Sequence, residues 1–245
     1  MQPELDINLN HTADPMGKAI QDYFAGNQQA EVIVHCSISE DDVMLVSYLF
    51  RDFETFPDLE KEALEECKGK ILDVGAGAGS HALYLQQQGH DVTALDISAG
   101  AVTVMQQRGL KQVIQGNIYD LEEPAFDTIL MLMNGIGLTG TLEGLDILLE
   151  HFKQLLNPGG QILLDSSDLL YMFTEDDGSV LLQLNGPYYG EISYQMEYKG
   201  EKGEEFNWLF VDFQTLQDHA MALGYNCELL AENDQDQYLA RLILR

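Results

Sequence analysis

Apolar and polar positions follow two different rhythms along the chain. From Lys70 onward, short apolar runs alternate with helical stretches: a strand over Ile71 to Val74, a helix from Ser80 to Gln88 stopped by Gly89, and a strand over Asp91 to Leu95. Ser98 then caps a helix that ends at Gly109, and strands follow over Gln112 to Gln115 and Thr128 to Met133. A helix through Leu145 to Leu156, a turn at Pro158-Gly159-Gly160 and a strand over Gln161 to Leu164 complete the series. Strands alternating with helices predict an α/β fold with a parallel sheet covered on both faces.

The two ends of the chain read differently. Residues 1–68 predict a mainly helical N-terminal cap: a helix over Met16 to Ala25, a short strand over Glu31 to His35, and a second helix over Asp41 to Asp52. Phe56-Pro57-Asp58 opens a lead-in helix, with acidic residues suited to the positive end of its dipole. Residues 69–245 form the core, with an inserted hairpin at about 187–211. There Ile192, Tyr194, Met196 and Tyr198 alternate, as do Phe206, Trp208 and Phe210, around Gly200-Glu201-Lys202-Gly203. Asp212 caps a last helix ended by Gly224. Strands over Cys227 to Ala231 and Tyr238 to Leu244, joined by a tight link, predict an antiparallel pair that closes the sheet edge.

Charge narrows the function classes. Twelve Lys and Arg against 41 Asp and Glu give a formal net charge of −29 over 245 residues, a field that repels phosphate backbones and anionic bilayers. Nucleic acid and membrane partners are therefore disfavoured, and neutral or cationic small molecules fit better. Cys36, Cys67 and Cys227 are scattered, and the six histidines show no metal-ligand spacing, so neither a disulfide framework nor a required metal is expected. The first residues lack the basic and apolar regions of a secretion signal, and no apolar run approaches membrane-spanning length. The expectation is a cytoplasmic protein.

The densest chemical signal is Ile71-Leu72-Asp73-Val74-Gly75-Ala76-Gly77-Ala78-Gly79-Ser80, an apolar strand running into a glycine loop that opens a helix. Glycines let the backbone approach a ligand closely, and the helix start offers unpaired N–H donors. Asp96 ends the next strand, about 20 residues on, where a carboxylate can bind ribose hydroxyls. An NAD(P)-dependent oxidoreductase also uses such a loop. However, the third glycine position of G-x-G-x-x-G, counted from Gly75, is Ser80 here, and Asp73 would repel a diphosphate while suiting a cationic ligand. Asp73 has a second reading, as a carboxylate that ties down its own loop.

At these residues the sequence resembles the class I S-adenosylmethionine-dependent methyltransferases, whose first motif is an acidic residue followed by G-x-G-x-G, here Asp73 to Gly79. The resemblance continues through Leu95-Asp96-Ile97-Ser98, Gln115-Gly116-Asn117-Ile118, Phe126-Asp127-Thr128-Ile129 and Leu156-Asn157-Pro158-Gly159-Gly160. It implies a Rossmann-like, seven-stranded, mostly parallel sheet with an antiparallel last strand. It also implies S-adenosylmethionine as cofactor, S-adenosylhomocysteine as product, and methyl transfer to a small-molecule acceptor.

The cofactor residues implied are Asp73, Gly75, Ala76, Gly77 and Gly79 toward the methionine part, Asp96 and Ile97 at ribose, Asn117 and the Ile118 amide at adenine, and Asn134 near the sulfonium. The family often has Asp where Asn117 stands; an amide oxygen can also accept from an adenine amine, and Asn117 can equally serve as a turn residue.

Around the methyl, Asn134 can orient an acceptor or cap its strand, and Asp165 can accept a proton or cap a helix. The cap and hairpin are natural lids, with Arg51, Tyr48 and Tyr188 as candidate acceptor contacts; Arg51 can pair a substrate carboxylate or a neighbouring acid such as Glu54. His81, in the first helical turn, reads as packing or loop hydrogen bonding. A third reading, a non-catalytic cofactor-binding or protein-interaction module, draws on the acidic surface and the hairpin, whose edge also suits a homodimer.

Overall fold

A computed structural model describes residues 13–122, 125–175, 177–182 and 186–245. Eleven strands and six α-helices are present among the described residues, arranged in two sheets. The N-terminal region carries α1 (Pro15–Phe24), β1 (Glu31–Cys36), β2 (Asp42–Leu45) and α2 (Asp58–Glu65). Asp14 caps α1 by accepting from the Gly17 N–H at 2.8 Å, and Pro15 opens the helix where its missing N–H costs nothing.

The segment Asp41 to Asp52 differs from the helix its apolar spacing predicts. It forms β2 and then a 3₁₀ turn, Val46–Phe50, because Val43 and Met44 pair antiparallel with Ile33 and Val32 of β1. β-branched and apolar residues accept a pleated surface as readily as a helix, and here the strand partner decides.

The core follows: β3 (Lys70–Val74), α3 (Ser80–Gln87), β4 (Asp91–Asp96), α4 (Ala99–Gln107), β5 (Val113–Gln115), β6 (Phe126–Met131), α5 (Leu142–Leu155) and β7 (Leu156–Ser167). Next come β8 (Glu191–Tyr198), β9 (Glu201–Leu209), α6 (Phe213–Ala222), β10 (Tyr225–Glu232) and β11 (Gln237–Leu244). The large sheet has the order β10-β11-β7-β6-β3-β4-β5. Six strands run in one direction and β11 alone runs against them, antiparallel to both β7 and β10, so the last strand inserts between them and β10 forms the edge. The Pro158-Gly159-Gly160 turn is an excursion at the start of β7, where pairing jumps from Phe126 with Leu156 to Thr128 with Gln161.

Alternation along each strand splits the core into two layers. Leu72, Ile129, Met131, Ile162 and Leu164 meet Leu145, Leu149 and Phe152 of α5, while Ile71, Leu130 and Leu163 meet Leu59 of α2 and Leu85 of α3. Asp73, two residues beyond Ile71, therefore points to the α2 and α3 side.

The small sheet has the order β2-β1-β8-β9 and is antiparallel throughout, so the N-terminal strands and the hairpin form one structure. Helix α1 joins it to the core. Gly17 of α1 meets Gly100 of α4 so closely that a Cβ on Gly100 would lie 2.5 Å from the Gly17 backbone. No helix among the described residues is long and apolar enough to cross a membrane.

Candidate active site

β3 lies where the chain turns from β4 on one side to β6 on the other, the crevice in which open α/β sheets bind ligands. The glycine loop leaves the end of β3 there. Gly75 and Ala76 donate their N–H groups to the Leu95 carbonyl at 2.9 and 3.1 Å, tying the loop to the end of β4. Gly75 and Gly77 have φ of +71° and +56°, and a Cβ on Gly75 would meet nothing within 4 Å, so backbone conformation rather than packing demands glycine at that position. Gly79 has the opposite reason as well: a Cβ would come within 2.7 Å of Leu110.

Asp96 closes the loop from the β4 side. One carboxylate oxygen accepts from the Gly77 N–H and the other from the Ser98 N–H, both at 2.8 Å, with the partly exposed Ile97 between them. Burial pushes its pKa up to about 6 against the lowering effect of these bonds. Asp73 is 2% exposed, and burial likewise raises it to about 6, opposed by the His81 charge and the Ala82 N–H. Its Oδ2 is buried with no hydrogen-bond partner. A carboxylate oxygen orphaned beside a glycine loop fits a missing cationic donor, because leaving it unmatched costs about 1–3 kcal/mol or more.

The turn after β6 is strained. Met133 and Asn134 have φ of +60° and +54°, and both N–H groups donate to Asp165, at 3.2 and 2.7 Å. Burial first, and then the neighbouring Glu60 charge, raise Asp165 to about 7. The Asn134 amide is engaged at both ends: its Nδ2 donates to the Leu209 carbonyl at 3.0 Å, and its Oδ1 accepts from Ser166 at 2.7 Å. Both residues thus hold the turn. A Cβ on Gly135 would lie 3.9 Å from the Val74 carbonyl, which puts the turn beside the glycine loop.

The cap reaches this crevice through Arg51, whose partner is Glu60 at 2.8 Å rather than Glu54. Glu60 also accepts from His81 Nε2 at 2.8 Å, and the guanidinium reaches Met133 Sδ at 3.8 Å and lies over the Tyr48 ring at 3.5 Å. Glu60 is 4% exposed, and its partners hold its pKa down against burial. The sequence signal for it is a carboxylate on the apolar face of α2, three and four residues before Ala63 and Leu64. Over the loop itself, Ser80 Oγ donates to the Leu49 carbonyl at 2.7 Å and Arg108 to the Ala78 carbonyl at 2.6 Å.

Two other candidates make bonds within the framework, Asn117 next to Gly116, whose N–H donates to the Asp96 carbonyl at 3.1 Å. Asn117 accepts from the Tyr119 N–H at 3.1 Å, capping a short 3₁₀ turn in which Ile118 is buried. Tyr188 donates to Asp212 at 2.6 Å at the start of α6, in a network with Tyr189 and Asp168. Among the described residues, no group of three or more His, Cys, Asp or Glu is placed to hold a metal ion.

The family described as methyltransferase domain matches residues 71–160, from the glycine-loop strand to the start of β7. Among solved structures, a SAM-dependent methyltransferase from Bacteroides fragilis in complex with S-adenosyl-L-homocysteine is similar over 95% of each chain, at 46% identity and a TM-score of 0.88. Fold likeness alone extends to CalS10, a SAM-bound amino pentose methyltransferase from Micromonospora echinaspora, at 14% identity, TM-score 0.55 and coverage of 82% and 97%. The sugar N-methyltransferase KedS8 from Streptoalloteichus sp is alike to the same degree, at 15% identity, TM-score 0.57 and coverage of 85% and 96%. No curated protein matches the chain. With its glycine loop, the buried Asp73 and the half-buried Asp96 in this setting, the chain belongs to the class I S-adenosylmethionine-dependent methyltransferases, which take their methyl group from S-adenosylmethionine and release S-adenosylhomocysteine.

Proposed function

We propose that the methyl acceptor is a small molecule, and that the cofactor is held by residues 73–79 and 96–97 at the carboxyl ends of β3 and β4. The unpartnered Asp73 Oδ2 carries this reading: it suits the ammonium of the methionine moiety, with the backbone of Gly75, Ala76, Gly77 and Gly79 lying alongside. Asp96, fixed by Gly77 and Ser98, has lone pairs left for ribose hydroxyls. Asn117 keeps one lone pair beyond its bond to Tyr119 and, with the Ile118 amide, serves the adenine.

When bound, S-adenosylmethionine supplies an electrophilic methyl: the acceptor's lone pair forms the new bond to carbon, the carbon–sulfur pair stays with sulfur, and the acceptor's proton leaves to water. Such a reaction needs alignment and exclusion of water more than a dedicated base. Asp165 and Asn134 act here by fixing the turn beside the sulfonium, and Arg51 with Tyr48 by fastening the cap over the crevice. Residues 13–68 and the hairpin serve together as that cover; residues 1–12 of the 1–68 cap lie outside the described residues.

Calorimetric titration with S-adenosylmethionine and S-adenosylhomocysteine, with NADH as control, tests the assignment. Heat from the two adenosyl compounds, weakened about tenfold or more in a folded Asp73→Asn variant, is expected. Unchanged affinity in that variant removes Asp73 from the site.

A further inference from the structure

The small sheet carries a group of aromatic side chains that the cofactor site does not use. Cys36 of β1 pairs with Tyr194 of β8, and Tyr194 with Phe206 of β9, so their side chains project to one face, joined there by Trp208 two residues along. At the far end of that face Met196 and Tyr198 pack against Ala19 and Ile20 of α1. The aromatic end is only half-buried. Its rings meet edge-on or tilted, with Phe206 and Trp208 5.9 Å apart at 79° and Tyr194 and Phe210 6.3 Å apart at 76°.

This wall stands against the strained turn. The Trp208 indole lies so close to Gly137 that a Cβ there would overlap it, and the next residue, Leu209, accepts from Asn134. Through Gly135 and Val74 the turn continues into the glycine loop. Burial is the largest cause that raises the Tyr194 phenol to about 12, and of the groups that add to it, the Cys36 thiol, the Tyr171 phenol and the Asp42 carboxylate, only Asp42 carries a charge at neutral pH, a negative one. The cation nearest the turn, Arg51, is neutralised by Glu60. The surroundings therefore favour a positive charge over a negative one.

We propose that this wall is the acceptor subsite and that it takes a small molecule bearing an aliphatic amine, with the nitrogen against the faces of Tyr194, Phe206 and Trp208. The proposal rests on the methyl-transfer reading above. A neutral amine that bonds to the methyl carbon takes on the positive charge that leaves sulfur, and ring faces attract that charge as it forms. The proton that goes to water is the one the amine sheds before it attacks, so the methylated nitrogen keeps the positive charge at neutral pH. A hydroxyl or thiol acceptor loses its proton in the reaction and ends neutral, which leaves no lasting charge for the same faces to hold.

Trp208 is the sole tryptophan, so its fluorescence reports on the wall. The full chain, saturated with S-adenosylhomocysteine, is titrated with choline and with dimethylbutanol, its uncharged carbon isostere. Choline should shift the emission saturably and bind about tenfold or more tightly than the isostere, a preference lost in Phe206→Leu. Equal affinities, or no response to either compound while S-adenosylhomocysteine still gives its calorimetric heat, would overturn the proposal. Absence of that heat would instead bring down the methyl-transfer reading, and this proposal with it.

Discussion

The two sheets are assembled over different ranges of sequence. In the large sheet the cofactor crevice is built from near neighbours: Gly77 donates to Asp96 only 19 residues on, and Gly75 and Ala76 bond to Leu95. In the small sheet β1 pairs with β8, and His35 bonds Glu197 across 162 residues. Strand–loop–helix units can form their half of a site locally, whereas the aromatic wall exists only once both ends of the chain have met. Cofactor binding and acceptor binding should therefore be separable by mutation, with a few residues joining them.

The largest effect should come from cutting that joint. Glu60→Ala leaves Arg51 from the cap and His81 from the core without their shared carboxylate, and breaking a buried pair costs about 3–5 kcal/mol. Thermal unfolding should fall accordingly; a change within about 0.5 kcal/mol would mean that the two regions are not joined there. Gly77→Val should act first on the glycine loop of the large sheet. A β-branched residue at φ +56° carries about 1–3 kcal/mol of strain, and folded variant protein should lose its S-adenosylmethionine heat.

Asp96→Ala is a milder cut in the same region, expected to weaken S-adenosylhomocysteine roughly ten- to hundredfold while leaving the choline response of Trp208 in place. A variant that lost both together would break the separation. Asp165 sharpens it through pH. Its folded value of about 7 lies above the ordinary 3.8, so between these values the folded state holds a proton that the unfolded chain has lost. The group's destabilising contribution thus grows as pH rises through that window. Asp165→Asn, always neutral, should gain in melting temperature relative to the parent from about pH 5 to about pH 8; a constant difference would contradict the raised value. The smallest effect belongs to Asn117→Ala, about 1 kcal/mol from a lost cap, read by chemical denaturation.

The same contrast explains what was legible in the sequence. The strand, glycine loop and helix from Lys70 to Gln87, and Asp96 at the next strand end, carry their signals within a few residues, and the structure places them together. The Asp41 to Asp52 stretch misleads because its apolar spacing suits a helix until Ile33 offers a strand partner. That β1 and the hairpin share a sheet depends on pairing across most of the chain, for which no local pattern exists. The partner of Arg51 was equally hidden: Glu60 lies on α2, and only its place on an apolar face sets it apart from the other acidic residues. The contact of Gly137 with Trp208, which comes from the small sheet, has no local signal either.

The most direct test of the account is a crystal structure of the full chain with S-adenosylhomocysteine. The account predicts the ligand's ammonium at about 3 Å from Asp73 Oδ2 and its ribose hydroxyls within hydrogen-bond reach of Asp96. A ligand bound away from the glycine loop, or one that leaves Asp73 Oδ2 unpartnered, would contradict it.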